Sequence, residues 1–599
     1  MLNIAVPFPE VLFSRDGTRL SPLSYALLVL LCVMFFIPGI VSMPPTDRDE
    51  SSFAQASKQM IETGNYTDIR LQEKPRYNKP IGIYWLQSAS VRLLNPEHLE
   101  EIWAYRLPSF VGATIAVLMT AALGALLFSP VVGLMAATML AGCVLLNVEA
   151  RLAKTDAALL GCIVTAMYGL ARAYITPSPL PTPLPPTPES FCGRVLIYLL
   201  KPFAKAGRKG KEILSRLRPF FIPFLFWSAV AVGVLIKGPI IFMPLFGVLL
   251  WLGISDRKIS WLKSLRPLYG LAYALALIAP WFIAILIQSD GAFVQQSAGN
   301  DMLAKIWQGQ NRGMIPPGFH LLALPILFFP FVLFAVFAIP DIWKNRREPA
   351  IKFCLGWIVP MWIVFELSMT KLPHYVLPAY PAIALLSAKY LNDGLSSITG
   401  FKHRFPLTLI VGAWLVIGSA FAFIFSLVPY LVDDKFEIAP VAAGFALILA
   451  QGGTLILFLK RKIASFAVLT LGSLIFLSVT FGLTLPGLQH IWMSREIVDA
   501  VGGAWPCLKT QTVSVGYHEP SLAFMAGTDT IMAKTGIEAA NALKEDSCRV
   551  IVIDDKNKQE FIDAFAKEKR KPQEAGKIDG LNSGRGRQTL LTVFVRPTP

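Results

Sequence analysis

Residues 46–53 read TDRDESSF and stand two prolines beyond the apolar run YALLVLLCVMFFIPGIVSM. Asp47, Arg48, Asp49 and Glu50 thus place four consecutive charges where a helix has just left a membrane. A carboxylate at such a boundary can act as a general base on a hydroxyl. Lysine or arginine beside it can bind a phosphate and stabilise charge developing on it. Charged side chains recur in RYNKPIGIYWLQ (76–87), RLAKTD (151–156), IKGP (236–239), AGNDMLAKIWQGQNRGMIPPG (298–318) and TKLPHYVLPAYP (370–381). If all of these reach one membrane face, the chemistry they suit is transfer of a group from a lipid phosphate.

That condition is a matter of topology. The chain has 599 residues, 54% hydrophobic and only 16% charged, against a usual charged share of about a quarter. Apolar runs of bilayer length recur from residue 22 to residue 484, the mark of a polytopic helical membrane protein. The formal charge of +16 sits in short loops, as the orientation rule for membrane proteins requires, and does not call for a nucleic-acid partner. The first apolar segment is too long for a signal-peptide core and lacks a small-residue cleavage site, so it reads as an uncleaved helix.

About thirteen spans are expected, near residues 22–41, 106–127, 130–148, 156–175, 221–236, 240–253, 267–287, 319–339, 351–368, 375–391, 406–428, 438–459 and 464–484. With the N-terminus inside, the basic stretches GRKGKEILSRLR, SDRKISWLKSLR, WKNRRE, FKHR and KRK are all cytoplasmic. Joining 221–253 into one span would send WKNRRE outside. The loop at 176–220 carries the proline-rich spacer TPSPLPTPLPPTPES.

The outer face then receives the first loop, 43–104. Within it, residues 50–62 set Phe53, Ala56, Met60 and Ile61 on one helical face, and KPIGIYWLQSASVRLL reads as a second interfacial helix. Together they form a platform with Asp49 and Glu50 at one edge and Lys79 at another. An odd span count also puts residues 488–599 outside as a small α/β domain beyond the 1–487 membrane domain. Its strands are QTVSVGY, CRVIVIDD and TLLTVFVRP, and its helices GIEAANALKED and KQEFIDAFAKEKR. In GYHEPSLAFMAGT a packed turn is favoured over catalysis by His518 or Glu519. Cys507 and Cys548 pair if this domain meets an oxidising compartment, a question proximity must decide.

DRDESSFAQASKQMIETGNY followed by NKPIGIYWLQ, with KTD, KGP and KLPHYVLPAYPAIALL in order, resembles the GT-C glycosyltransferases. That family includes protein O-mannosyltransferases and the lipid A aminoarabinose transferase. The resemblance spans most of residues 20–390. It implies a polyprenyl-phosphate-sugar donor, attack on the anomeric carbon with inversion, and an envelope acceptor, lipid A or another glycolipid. Protein O-glycosylation is the alternative acceptor chemistry, and a transporter or flippase of a lipid-linked substrate is the rival class. It implies a bacterial inner-membrane location with the active site periplasmic.

By the same resemblance Asp49 matches the catalytic carboxylate with Glu50 beside it, and Asp156 a second acidic position. Lys79 matches the donor-phosphate ligand, while Lys237, Lys371 and His374 line the cavity. Two positions depart from the aminoarabinose-transferase pattern. Asn78 replaces a glutamate associated with a divalent metal, which weakens the case for metal, and no cofactor is called. Ser52 replaces an arginine, so one phosphate contact is either missing or supplied elsewhere, by Arg48 or Arg76. Arg312 is a further, weak phosphate ligand. Plainer roles exist for each: Asp49 and Glu50 as helix-terminal acids, Asp156 as an N-cap, Lys79 as a snorkelling anchor.

Overall fold

The computed structural model describes residues 10–14, 17–175, 218–297, 299, 316–394, 404–503, 507, 510–568, 571–582, 584 and 586–596. The proline-rich spacer, most of the basic stretch that follows it, and Arg312 lie outside the described residues. Helix α1 (Pro22–Phe36) opens on a Ser21 cap that accepts from the Ser24 amide at 3.3 Å, with Pro22 in its first turn. The first long loop follows. It comprises α2 (Asp49–Thr63), the two-stranded ribbon β1 (Arg70–Leu71) and β2 (Lys74–Pro75), and α3 (Gly82–Leu94).

A helical bundle comes next: α4 (Trp103–Leu127), α5 (Pro130–Gly142), α6 (Val144–Glu149) and α7 (Asp156–Ile175), then α8 (Phe221–Lys237), α9 (Phe242–Asp256) and α10 (Pro267–Gln288). It continues with α11 (Phe319–Leu327), α12 (Val332–Lys344), α13 (Pro349–Leu367), α14 (Tyr380–Asn392), α15 (Arg404–Asp433), α16 (Ile438–Leu459) and α17 (Ala464–Val479). Among the described residues, eight helical stretches are long and apolar enough to cross a membrane, and Pro22–Phe36 and Pro130–Gly142 are shorter apolar helices. The chain is a multi-pass membrane protein.

The apolar stretch 221–256 folds as a hairpin. Gly238, at φ 70° and ψ −146°, ends α8 in a backbone conformation open to glycine. Lys237 meets Asp156 at the start of α7, whereas Asp256, at the far end of α9, accepts from Tyr174 Oη at 2.7 Å near the end of α7. Helix α9 therefore returns to the end of the bundle from which α8 set out.

Two expected spans are broken. The 130–148 run divides at Cys143, and 319–339 divides at 328–331. The breaks face each other: the Val144 amide donates to the Phe329 carbonyl at 3.1 Å, Asn147 Nδ2 donates to the Ala141 and Cys143 carbonyls, and Trp414 Nε1 to that of Pro330 at 2.8 Å. Irregular backbone survives at membrane depth when protein groups pair it in this way.

Small residues bring α4 and α7 together. A Cβ on Gly112 would stand 2.4 Å from Ala158 Cα, and one on Gly161 2.7 Å from the Gly112 carbonyl. This close crossing sets the start of α4 beside the 151–156 loop, and Ser109 Oγ donates to the Lys154 carbonyl at 3.1 Å.

The C-terminal region contains α18 (Met493–Gly503), β3 (Gln511–Val515), α19 (Pro520–Ala526), β4 (Ile531–Ala533), α20 (Gly536–Glu545), β5 (Arg549–Asp554), α21 (Asp555–Asp563), β6 (Gln573–Asn582) and β7 (Arg587–Val595). The strands form one sheet in the order β4-β3-β5-β7-β6. The β4–β3 and β3–β5 pairs are parallel, and the β5–β7 and β6–β7 pairs antiparallel. Cys507 and Cys548 are disulfide-bonded, with Cα atoms 5.4 Å apart.

One expectation needs correction. Helix α2 is not half-immersed: Ser51, Ser52, Gln55, Ser57 and Lys58 on its polar side are buried along with Phe53 and Ala56. The C-terminal region covers part of that side, and α3 another part, with Ser57 Oγ donating to Gln87 Oε1 at 2.7 Å. Lys58 Nζ donates to the Phe524 carbonyl at 2.9 Å, Gln55 Nε2 to Thr528 Oγ1 at 2.8 Å, and Tyr105 packs edge-on against Phe524 at 5.2 Å.

Candidate active site

Asp49 is the first residue of α2 and is exposed, next to a residue with no exposure at all to speak of. Glu50 accepts five hydrogen bonds: from the Thr46 amide and hydroxyl, from the Ala153 amide, and from Arg106 Nε and Nη2 at 2.8 and 3.1 Å. Arg106 in turn donates to the Ile40, Met43 and Pro44 carbonyls. Burial opposes ionisation of Glu50, but the Arg106 charge and these hydrogen bonds outweigh it and hold the carboxyl below its ordinary range. Its oxygens are saturated by protein donors. Both Glu50 oxygens thus face protein donors, whereas Asp49 beside it is exposed.

Between Asp47 and Asp49, Arg48 takes φ 64° and ψ −100°. An L-residue rarely holds that conformation, which persists when both flanks are fixed by other contacts. The Arg48 side chain is exposed.

A second group gathers from three distant segments. Lys237 Nζ meets Asp156 Oδ1 at 2.6 Å, and Lys154 Nζ meets Glu149 Oε1 at 3.1 Å. His374 lies between the two acids, its ring nitrogens 3.9 Å from Glu149 Oε1 and from Asp156 Oδ1. Burial alone would depress the Lys154 ammonium. Glu149, Asp156 and, more weakly, Asp49 overcome that and raise its pKa above the ordinary lysine value. Burial lowers the His374 pKa despite the pull of Asp156 and Glu149, so its imidazole is neutral near pH 7. Asp49 stands near this group through its neighbour Glu50, which accepts from the Ala153 amide at 2.9 Å, one residue before Lys154.

Lys79 is half-buried and precedes Pro80, whose Cγ lies 3.9 Å from the place a Cβ would occupy on Gly238. The Lys79-Pro80 and Lys237-Gly238 turns therefore lie against each other. Lys371 is buried and donates to the Ser368 carbonyl at 2.7 Å, closing the turn before His374. The next carbonyl, Leu372, is 3.2 Å from Nε2 of the fully buried His320. Arg76 is drawn inward, its guanidinium 4.5 Å from the Phe53 ring centre and 2.6 Å from Tyr84 Oη.

Sequence reasoning passed over Glu149, Lys154 and Arg106. The signal was present, since each is an ionisable residue within or bordering an apolar run, where charge is costly unless paired or used. Glu149 Oε2 is buried with no hydrogen-bond partner among the described residues. Among the described residues, no three His, Cys, Asp or Glu side chains converge as metal ligands.

A family model described as dolichyl-phosphate-mannose-protein mannosyltransferase matches residues 78–180, which include Lys79, Lys154 and Asp156. An uncharacterized protein of Aquifex aeolicus is 23% identical over 424 residues, 69% of this chain and 74% of the relative. An undecaprenyl phosphate-alpha-4-amino-4-deoxy-L-arabinose arabinosyl transferase of an Enterobacter species is 22% identical over 397 residues, 65% of this chain and 62% of the relative. In three dimensions the chain is similar to ArnT from Cupriavidus metallidurans bound to undecaprenyl phosphate, with a TM-score of 0.67 at 14% identity, over 95% of this chain and 97% of that one. At that identity the likeness is one of fold.

Proposed function

We propose that this chain, which has the GT-C fold, is an integral-membrane glycosyltransferase. It moves a sugar from a polyprenyl-phosphate donor to an envelope acceptor, lipid A or another glycolipid, at the periplasmic face of a bacterial inner membrane. The observation that carries this reading is the meeting of Glu149, Lys154, Asp156, Lys237 and His374 at one end of the bundle, with the Ala153 amide of the same loop bonded to Glu50, the neighbour of Asp49. The relatives named as undecaprenyl phosphate-aminoarabinose arabinosyl transferases support a polyprenyl-phosphate-sugar donor, whereas the mannosyltransferase family model favours the alternative of a protein acceptor.

In this mechanism Asp49 takes the proton of the acceptor nucleophile as its oxygen or nitrogen bonds to the anomeric carbon. The bond from that carbon to the phosphate oxygen breaks on the opposite side, and its electron pair leaves with the lipid phosphate. Lys79 and Lys237 bind that phosphate as its charge grows, with the exposed Arg48 as a further cation beside Asp49. Asp156 orients Lys237, and Glu50 fixes the start of α2. Neutral His374 donates or accepts a hydrogen bond without adding charge.

Thirteen passes, with the N-terminus cytoplasmic and residues 488–599 a periplasmic domain on a 1–487 membrane domain, complete the proposal. The 221–256 hairpin supports that count, and the Cys507–Cys548 disulfide supports an oxidising compartment for the C-terminal region.

The test is mass spectrometry of envelope lipids and glycoproteins from cells with the protein, without it, and with Asp49→Asn at matched abundance. The same species should lose one sugar in both deficient strains, which names sugar and acceptor. Full modification in the Asp49→Asn strain would remove Asp49 as base. A modification lost only in the deletion strain would favour transport.

A further inference from the structure

Residues 517–529, YHEPSLAFMAGTD, do not act on substrate through His518, whose Nε2 lies 2.8 Å from the Ala533 carbonyl within the C-terminal domain. They do something else. Ser521 Oγ donates to Asp47, two residues before Asp49. Ser494 Oγ lies 2.6 Å from Ser521 Oγ, and Tyr517 Oη 2.9 Å from Ser494 Oγ. Tyr517 and Ser521 are fully buried, and Ser494 nearly so.

Each hydroxyl has one proton to give, and an ionised carboxylate only accepts. Because Ser521 gives its proton to Asp47, Ser494 must donate to Ser521, and Tyr517 to Ser494. The file runs in one direction, and bonds aligned this way strengthen one another. Its far end stands just beyond β3, in the core of the C-terminal domain, and its near end is on the first long loop.

We propose that the C-terminal domain is a working part of the active site, with Ser521 as a positioning residue that acts through Asp47 on Asp49. This rests on the reading of Asp49 as base. Arg48, between the two aspartates, holds a strained backbone that needs both flanks fixed. Glu50 and Arg106 fix the flank that follows it; on the other, Thr46 is tied back to Glu50, and the side chain of Asp47 itself is held by the hydroxyl file. Contacts further along α2, from Lys58 to the Phe524 carbonyl and from Thr528 Oγ1 to Glu62, brace the helix but do not bear on Arg48. Removing the file leaves α2 docked and frees its first residue to shift, and misplacement of a catalytic group by about 1 Å costs on the order of a hundredfold in rate.

The experiment compares full-length wild type with Ser521→Ala, Tyr517→Phe, Asp47→Asn, Asp47→Ala and Asp49→Asn. It reads three quantities: the modified envelope species in cells at matched abundance, affinity of the purified protein for undecaprenyl phosphate, and amide hydrogen exchange over residues 46–52. Ser521→Ala and Asp47→Ala should lower transfer by about tenfold or more, leave undecaprenyl phosphate affinity within about twofold, and speed exchange at 46–52. Asp47→Asn keeps an oxygen for Ser521 and should retain most transfer. Tyr517→Phe, which removes one buried oxygen with little change of shape, should cost a few-fold.

Normal transfer in Ser521→Ala, with Asp49→Asn inactive, would overturn the positioning role and leave the base intact. Normal transfer in Asp49→Asn would overturn the base, and this inference with it. Should Ser521→Ala not fold, Tyr517→Phe decides: unchanged transfer and unchanged exchange at 46–52 overturn the role.

Discussion

Arg106 and Glu50 meet at two points, 2.8 and 3.1 Å, with neither side chain exposed. The pair joins the start of α4 to the start of α2. Removing one member of a buried ion pair strands the other charge, at a cost of about 3–5 kcal/mol. Arg106→Met should therefore lower the melting temperature of the purified protein sharply, and with it transfer. A melting temperature equal to wild type would show that the pair does not hold the first long loop.

The same pair gives stability a pH dependence. Glu50 titrates below its ordinary range in the folded protein. Its contribution is fully present above the unfolded value, about 4.3, and is lost as pH falls through the lower folded value. Wild-type stability should decline as pH drops below about 4, and Glu50→Gln, less stable at pH 7, should show a shallower decline. Melting curves of both proteins from neutral to acid pH measure it.

Gly238→Ala should weaken transfer even though space is available for the methyl group. The nearest atom, Pro80 Cγ, would be 3.9 Å away, but φ 70° with ψ −146° lies in a glycine-only region. The strain is of order 1–3 kcal/mol, relieved by moving Lys237 away from Asp156. Asparagine, which tolerates the left-handed helical region, should do no better, because ψ falls outside it. Transfer assays on both variants decide whether backbone or volume matters.

His490 Nδ1 lies 2.7 Å from Asp433 Oδ1, and the Gln489 and His490 amides donate to the same carboxylate, linking the last turn of α15 to the entry of the C-terminal domain. The hydrogen bond to Asp433 raises the His490 pKa, with Glu496 and Asp579 adding to it. The charged contact is present below the unfolded histidine value, about 6.5, and is lost as pH rises through the higher folded value. Proteolysis between residues 487 and 493 should quicken from pH 6 to pH 9 in wild type, and less so in His490→Gln.

Reduction should act on one part of the molecule. The Cys507–Cys548 bond closes a 41-residue separation, for which chain entropy predicts about 4 kcal/mol. A double serine variant should lose protection from hydrogen exchange in β3, β5 and α20 while α4 and α7 keep theirs. Equal loss in both regions would mean that the two parts unfold together.

Much of this arrangement was legible in the sequence because it is written in local pattern. Long apolar runs give the helices, clustered lysines and arginines mark one end of them, and alternating Val and Ile in QTVSV and RVIVID give β3 and β5. What could not be read depends on pairing across the chain. Nothing beside Glu50 in the sequence shows that Arg106 fills its oxygens. The polar side of α2 reads as solvent-facing until the C-terminal region and α3 cover it. Strand β6, GKIDGLN and its flanks, lacks a strong β pattern and is held by β7. The breaks at Cys143 and 328–331 leave no trace in hydropathy, because each is tolerated only where the other lies beside it.

Asp47 and Ser521 are 474 residues apart in sequence. A chain emerging N-terminus first therefore delivers its first long loop long before the residues that dock against it. The contact between Asp47 and Ser521 can form only after the last apolar helix has been made and the C-terminal region has folded. Order of synthesis thus works as an inspection step: a chain cut short in translation carries the charged residues of the first loop without the contact that sets them in place.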